Sequence, residues 1–544
     1  MDAGSVSAPA PIRKSRGSWK LAPPHDRLTQ GLVVSGFGAL ETGRALFLEF
    51  GWDGDLGAGG GAWLRALNAV APVSDADGRD ERAAALAFSY SGLRKMGLDA
   101  AALASLARPF REGMLQEDRL RRLGDRRDGE WLKTVIDGGP KWSANNPARE
   151  ATPEDLRIAA FEVPDDAPPE ERVTTPVTVH ALLLLYTADE AGAEAWCAEV
   201  SEALKPLGVT VAHRLPLVLD VKHEDRGISR EHFGFADGLS QPIPFGDAVV
   251  HGDGSRVEQD ECHGVPLGEI LIGHENGHRE TAPGPVASRK DKAVAAGLPP
   301  HGRAEGFFDL GLDGSYMVVR ELKQDVAAFW KSMRANAEHI RTRDPEHSAH
   351  VTADWIAERV VGRGRDGHLL CPGGYLPRGE DGLPDSGFMF FDRDQHGLGC
   401  PAGSHVRRAN PRDSLAPDAG QKQTLLDAAN NHRILRRGRK YGPAIDPARI
   451  ASGEDDGVDR GLLFICLNTD IARQFEFVQQ TWLLNQNFAT LYDEVDPLIG
   501  PAGRMTIREA PLRRIVNVET FVQLVGGDYF FLPSMPALAY LQSL

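Results

Sequence analysis

Cysteine is scarce. Only five of 544 residues carry a thiol (Cys197, Cys262, Cys371, Cys400 and Cys466), and their wide spacing excludes a disulfide framework or a zinc knuckle. An odd, scattered set suits a reducing compartment. No apolar run approaches the roughly 20 residues that cross a bilayer. The basic opening MDAGSVSAPAPIRKSRGSWK is not followed by the apolar core of a secretory signal. A cytoplasmic location is therefore expected. Cations are the minority charge, 61 Lys and Arg against 77 Asp and Glu, for a net charge of -16 with neutral histidine. That balance repels phosphate backbones and anionic membrane surfaces, so neither nucleic acid nor a membrane is an expected partner. No phosphate-cradling Gly-Lys-Ser/Thr occurs, and no Gly-x-Ser-x-Gly elbow stands out on a strand-to-helix turn.

The composition is that of a globular protein: 42% hydrophobic and 25% charged residues, in a chain too long for one ordinary core. A first block alternates strand-like runs with a helical pattern: GLVVSGF from Gly31, ALFLEF from Ala45, the helical AWLRALNAV from Ala62, and ALAFSY from Ala85. That order suits a split β-α-β unit. A polar stretch from about Gly139 to Pro176 precedes VTVHALLLLYT and reads as a surface excursion. From Pro242 to about Pro300 the chain is again rich in Gly, Pro and charge, broken by the short EILIG run at Glu269. A second block starts with SYMVVREL at Ser315, followed by Val326, Phe329, Trp330 and Met333 at helical spacing. GLLFICL from Gly461 reads as a buried strand, Asn468 to Asp470 can cap the next helix, and Ile471, Phe475, Val478 and Trp482 share one face of that helix. The fold class is α+β with two similar halves. Expected boundaries are an N-terminal extension over 1–24, a first domain over 25–245, a connection over 246–305 and a second domain over 306–544.

Several strings bear on chemistry. His274-Glu275-Asn276-Gly277-His278 fits the HExxH pattern of zinc hydrolases. That chemistry needs a helix, and the Asn-Gly pair inside the motif is a turn signal, so a polar loop is the better reading. The glycine run at Gly57 to Gly61 loosely imitates a dinucleotide fingerprint but lacks its final glycine. Three other segments say more. In Gly234-Phe235-Ala236-Asp237-Gly238, two glycines bracket a carboxylate and allow backbone to approach a ligand closely. In Ser404-His405-Val406-Arg407-Arg408-Ala409-Asn410-Pro411-Arg412, an imidazole sits between a glycine-containing turn and an arginine pair. In Arg433-Ile434-Leu435-Arg436-Arg437-Gly438, embedded apolar residues turn at least one arginine inward.

Together, in this order, the three segments resemble the signature of dye-decolorizing peroxidases. FREGM at Phe110, DGSYMVVRELKQDVAAFW at Asp313, FEFVQQTW at Phe475 and YFFLPS at Tyr529 resemble further segments of that family, so the likeness runs from about residue 25 to the end. It implies two ferredoxin-like domains, with haem b held mainly by the second. It implies His405 as the proximal iron ligand, Gly234 and Gly238 at the haem, and Arg407, Arg408 and, less directly, Arg412 on its propionates. Glu476 or Asp470 would bond the other ring nitrogen of His405. Asp237 would act as acid and base toward hydrogen peroxide, with Arg436, in preference to its neighbour Arg437, holding the developing charge. The implied activity is reduction of hydrogen peroxide with oxidation of dyes, phenols or a metal-ion reductant through a ferryl intermediate, in a monomer or a homo-oligomer. A haem carrier or iron-release protein on the same scaffold is the alternative; a zinc hydrolase using His274 and His278 is the remote one.

Overall fold

The computed structural model describes residues 19–52, 60–78, 81–145, 172–219, 229–376 and 386–544. Two antiparallel halves of one continuous sheet organise the chain. The first contains β1 (Thr42–Phe50), β2 (Arg82–Phe88), β3 (Ala181–Thr187) and β4 (Val209–Val218) in the order β4-β1-β3-β2. Helices α1 (Ala62–Val70) and α2 (Glu190–Leu204) connect its strands. The second contains β5 (Ser315–Gln324), β6 (Leu435–Arg436), β7 (Arg439–Tyr441), β8 (Gly461–Asn468) and β9 (Val522–Leu532), with α3 (Val326–Arg343) after β5. Its order is β7-β8-β5-β9, with the short β6 also paired to β8. Both are the ferredoxin-like arrangement of a split β-α-β pair.

The two halves meet at both edges, Lys440 opposite Val218 and Phe531 opposite Phe88, so the strands close into a ring. Closure removes the unpaired edges that would otherwise invite aggregation. It also explains why the strands read as continuous apolar runs, because both faces are covered. Ala45 and Phe47 of β1 pack inside the ring with Met317 and Val319 of β5 and Ile465 of β8. The alternate residues Leu46, Leu48 and Phe50 face outward against Trp63 and Leu67 of α1.

The runs ALFLEF, ALAFSY, SYMVVREL and GLLFICL all become strands. Two others do not. GLVVSGF forms turns, because the carbonyls of Leu32 and Val33 accept from Arg437 Nε and Nη2, respectively, in place of a neighbouring strand. EILIG opens with a single tight turn at Leu267–Glu269, where the buried Glu269 carboxylate pairs with Arg473. Much of the polar excursion, most of the N-terminal extension and Gly57 to Gly59 lie outside the described residues. Among the described residues no helix is long and apolar enough to cross a membrane.

One buried histidine makes the fold sensitive to acid. His180 stacks on Phe50, and its Nδ1 accepts the Phe50 backbone N–H at 3.0 Å. Burial, helped by Lys95 and Arg94, pushes its pKa down to about 3. The folded ring stays neutral while the unfolded one takes up a proton below about pH 6.5. Stability is therefore present above that pH and lost as the pH falls toward the folded value. At pH 5 the loss is about 2 kcal/mol from this residue. Thermal melts at pH 7 and pH 5 should show a smaller acid-induced drop in Tm for His180→Asn than for the parent; an equal drop would contradict this assignment.

Candidate active site

The short helix α4 (His405–Ala409) opens on His405, with Ser404 at its N-cap. His405 Nδ1 lies 2.9 Å from Asp496 Oδ2. Asp496 is fully buried, and its other oxygen accepts from the backbone N–H groups of Leu498 and Ile499. The carboxylate thus holds one ring nitrogen and fixes the ring plane. Burial pushes the His405 pKa down, but the charge and hydrogen bond of Asp496 outweigh it and leave it raised. Nε2 makes no hydrogen bond with the described residues, and the side chain, 31% exposed, faces a cavity of about 300 Å³.

Neither carboxylate expected beside His405 is there. Glu476 accepts from Arg119 and from the Tyr529 hydroxyl, and Asp470 accepts from the backbone N–H of Arg473 at the start of a π-helical stretch. Asp496 went unnoticed because it lies 91 residues beyond His405 in a loop. The available signal was its Asp-Pro pair before Leu498 and Ile499, the pattern of a carboxylate that caps the following turn.

The Gly234–Gly238 loop brings Asp237 to the same cavity. Gly234 and Gly238 have φ of 96° and 76°, the left-handed region that disfavours side chains. At Gly234 a Cβ would also meet the Arg365 guanidinium at 2.7 Å. Glu231, which sequence reasoning missed, pins the loop by accepting the N–H groups of Phe233 and Phe235 at 2.8 Å each. Asp237 Oδ1 accepts from Gly238 N at 2.6 Å.

Arg436 and Arg437 separate by strand alternation. Arg437 turns to the backbone of Leu32 and Val33, whereas Arg436 lines the cavity. Its guanidinium makes no hydrogen bond or ion pair with the described residues. Gln241 fixes its main chain, donating to Arg436 O and accepting from Arg436 N, both at 3.1 Å. Asp237 and Arg436 both lie within electrostatic reach of His405, the first raising and the second lowering its pKa.

The arginines expected on an acidic cofactor are corrected. Arg407 donates to the carbonyls of Asp394, Cys400 and Gln395. Arg408 is spent on those of Trp482, Leu483, Asn485 and Glu494. Both are buried and neither lines the cavity, because their positions in α4 point away from the face of His405. Arg412, the third arginine expected there, does line it, and so does Arg433, which was not expected. Neither has an ion-pair partner among the described residues; Arg412 donates to the carbonyls of Ser386 and Phe388 and to Ser240 Oγ, whereas Arg433 Nη1 is buried without a hydrogen bond. Burial, with Arg412 adding to it, pushes the Arg433 pKa down to about 9. Buried cations left unpaired are costly, so this wall calls for an anionic ligand. The zinc motif does not assemble: His274 and His278 lie in a loop rather than on one helical face, and His278 is exposed.

The C-terminal model of the Dyp-type peroxidases matches residues 309–496. The chain is 31% identical over 395 residues to the multifunctional dye peroxidase DyP2 of Amycolatopsis sp., covering 68% of this chain and 71% of that one. It is 30% identical over 326 residues to the dye-decolorizing peroxidase AauDyP1 of Auricularia auricula-judae, covering 57% and 55%. Among solved structures it superposes on the Anabaena sp. DyP-type peroxidase with a TM-score of 0.64 at 21% identity, over 95% of this chain and 94% of that one. A variant of the Auricularia auricula-judae enzyme gives 0.66 at 20% identity, over 95% and 99%. Fold and relatives together define a peroxidase. The chain belongs to the dye-decolorizing peroxidase family, a family of haem peroxidases.

Proposed function

We propose that this protein binds haem b in the cavity beneath His405 and uses hydrogen peroxide to oxidise dyes, phenols and other bulky electron donors. The observation that carries this reading is an imidazole locked to a buried carboxylate through Nδ1, with Nε2 free toward a cavity shared by Asp237 and Arg436. The residues fit the group. His405 Nε2 would hold the iron, and Arg433 and Arg412, which lack counter-ions among the described residues, would face the propionates. Phe464, Phe475, Leu483 and Leu498 supply apolar walls.

When bound, haem would supply a redox-active iron able to react with peroxide and to hold oxidising equivalents until donors return electrons. The protein residues do the rest. Asp496 makes His405 a stronger electron donor by accepting its Nδ1 proton in a hydrogen bond. Asp237 would take the proton from one oxygen of hydrogen peroxide and hand it to the other. Arg436 meets the negative charge that grows as the O–O bond lengthens, and no other side chain among the described residues competes for its guanidinium.

Strand alternation gives this reading a direct test. Arg436→Leu should lower the second-order rate of reaction with hydrogen peroxide by about 10²- to 10³-fold. Arg437→Leu should leave that rate near the parent's and lower Tm, because it loses backbone hydrogen bonds instead. Stopped-flow mixing of both variants measures this, and the reverse pattern would overturn the assignment.

A further inference from the structure

Three residues with no part in the haem cavity converge elsewhere. His25 lies in a four-residue helix, His25–Leu28; His274 follows Ile272 in a loop; Asp313 stands in the turn before β5. Asp313 Oδ1 is 2.7 Å from His274 Nε2, and Asp313 Oδ2 is 2.9 Å from His25 Nδ1. The two rings lie 5.1 Å apart between centroids, inclined at 67°. One donor atom from each residue falls within 4.8 Å of the others.

Burial grades across the cluster. The Asp313 side chain is 1% exposed, His274 16% and His25 26%. The carboxylate forms the floor and the imidazoles form a rim open to water. The groups acting most strongly on His25 and Asp313 are one another, His274 and Asp26, with no lysine or arginine among them. Two imidazoles and a carboxylate with an open side are the donor set of zinc sites that keep a water ligand. With bonds of about 2.0–2.1 Å, ligand atoms of a tetrahedral site stand about 3.3 Å apart. The two carboxylate–imidazole separations here are a few tenths of an ångström shorter, so the side chains would part slightly to admit the ion.

We propose that His25, His274 and Asp313 bind one divalent transition-metal ion of the zinc class, with water completing the coordination. His274 belongs to the HExxH string, but its partners come from elsewhere in the chain and His278 takes no part. The ion joins the start of the described chain to the turn that leads into β5. Leu32 and Val33, a few residues after His25, hold Arg437 beside Arg436, so the ion braces one wall of the haem cavity from outside. This inference does not depend on the haem chemistry.

The test uses the purified full-length protein, freed of loose metal with a chelator and dialysed against zinc. Zinc and iron are then counted together. The expected result is one zinc per chain, an increase in Tm with zinc, and loss of both in His274→Ala and in His25→Gln. Because His25 is on a short surface helix, its variant carries the test if His274→Ala does not fold; an unchanged far-ultraviolet circular-dichroism spectrum verifies folding whether or not haem is bound. Zinc-edge X-ray absorption on the parent protein should show nitrogen and oxygen neighbours at about 2.0–2.1 Å and no sulfur. Absence of saturable zinc, zinc retained in the folded variants, or a sulfur neighbour would overturn the proposal.

Discussion

His405→Ala should yield a folded protein that no longer retains haem and has lost peroxidase activity by more than about 10³-fold, the scale on which loss of a central group shows. The expectation rests on a contrast within the cavity. His432 also lines it, but its Nδ1 contacts the Arg473 carbonyl at 2.6 Å and its ring stacks on Phe477 at 3.7 Å. Burial lowers its pKa, and no carboxylate among the described residues hydrogen-bonds its ring. Of the two, His405 alone couples a ring nitrogen facing the cavity to a buried carboxylate, the arrangement that strengthens an axial donor. His432→Ala should therefore keep its haem. Measuring haem per chain from the absorption spectrum separates the two variants, and equal retention would show that the axial donor lies elsewhere.

The second large effect is expected at Asp237. Asparagine there keeps the shape and still accepts from Gly238 N, so loop and cavity survive. The group that can take a proton from one peroxide oxygen and return it to the other disappears. The rate of reaction with hydrogen peroxide should fall by about 10²- to 10⁴-fold, the usual worth of a positioned acid–base group, with haem content and Tm unchanged. A rate equal to the parent's would remove Asp237 from the proton path and leave Arg436 acting alone.

Much of this was legible in the chain because the informative signals are local. Strands buried on both faces announce themselves as apolar runs, and the two halves show the same strand–helix order. The glycines bracketing Asp237 are also a near-neighbour pattern, whereas the choice of Arg436 over Arg437 comes from the family resemblance. The failures are long-range. Nothing near His405 reveals that its carboxylate is Asp496, because the loop that delivers it is placed by tertiary packing; Glu476 is as suitable by sequence, yet Arg119 and Tyr529 hold it elsewhere. Arg407 and Arg408 stand close to the histidine in sequence, yet a helix turns consecutive side chains by about 100°. Their guanidinium groups stabilise loop carbonyls, while Arg412, a few residues on in the same segment, and Arg433 from a more distant one reach the cavity. The GLVVSGF run failed for the same kind of reason, since an arginine 405 residues away takes its carbonyl.

The central claim, that His405, Asp237 and Arg436 surround a haem that reacts with peroxide, is tested most directly by mixing the haem-loaded protein with one equivalent of hydrogen peroxide and following the Soret band. The expected result is a rapid shift of the band that reverses when an anthraquinone dye is added and bleached. A Soret band that stays unchanged, with the dye intact, would contradict the claim and leave a haem carrier on a peroxidase scaffold.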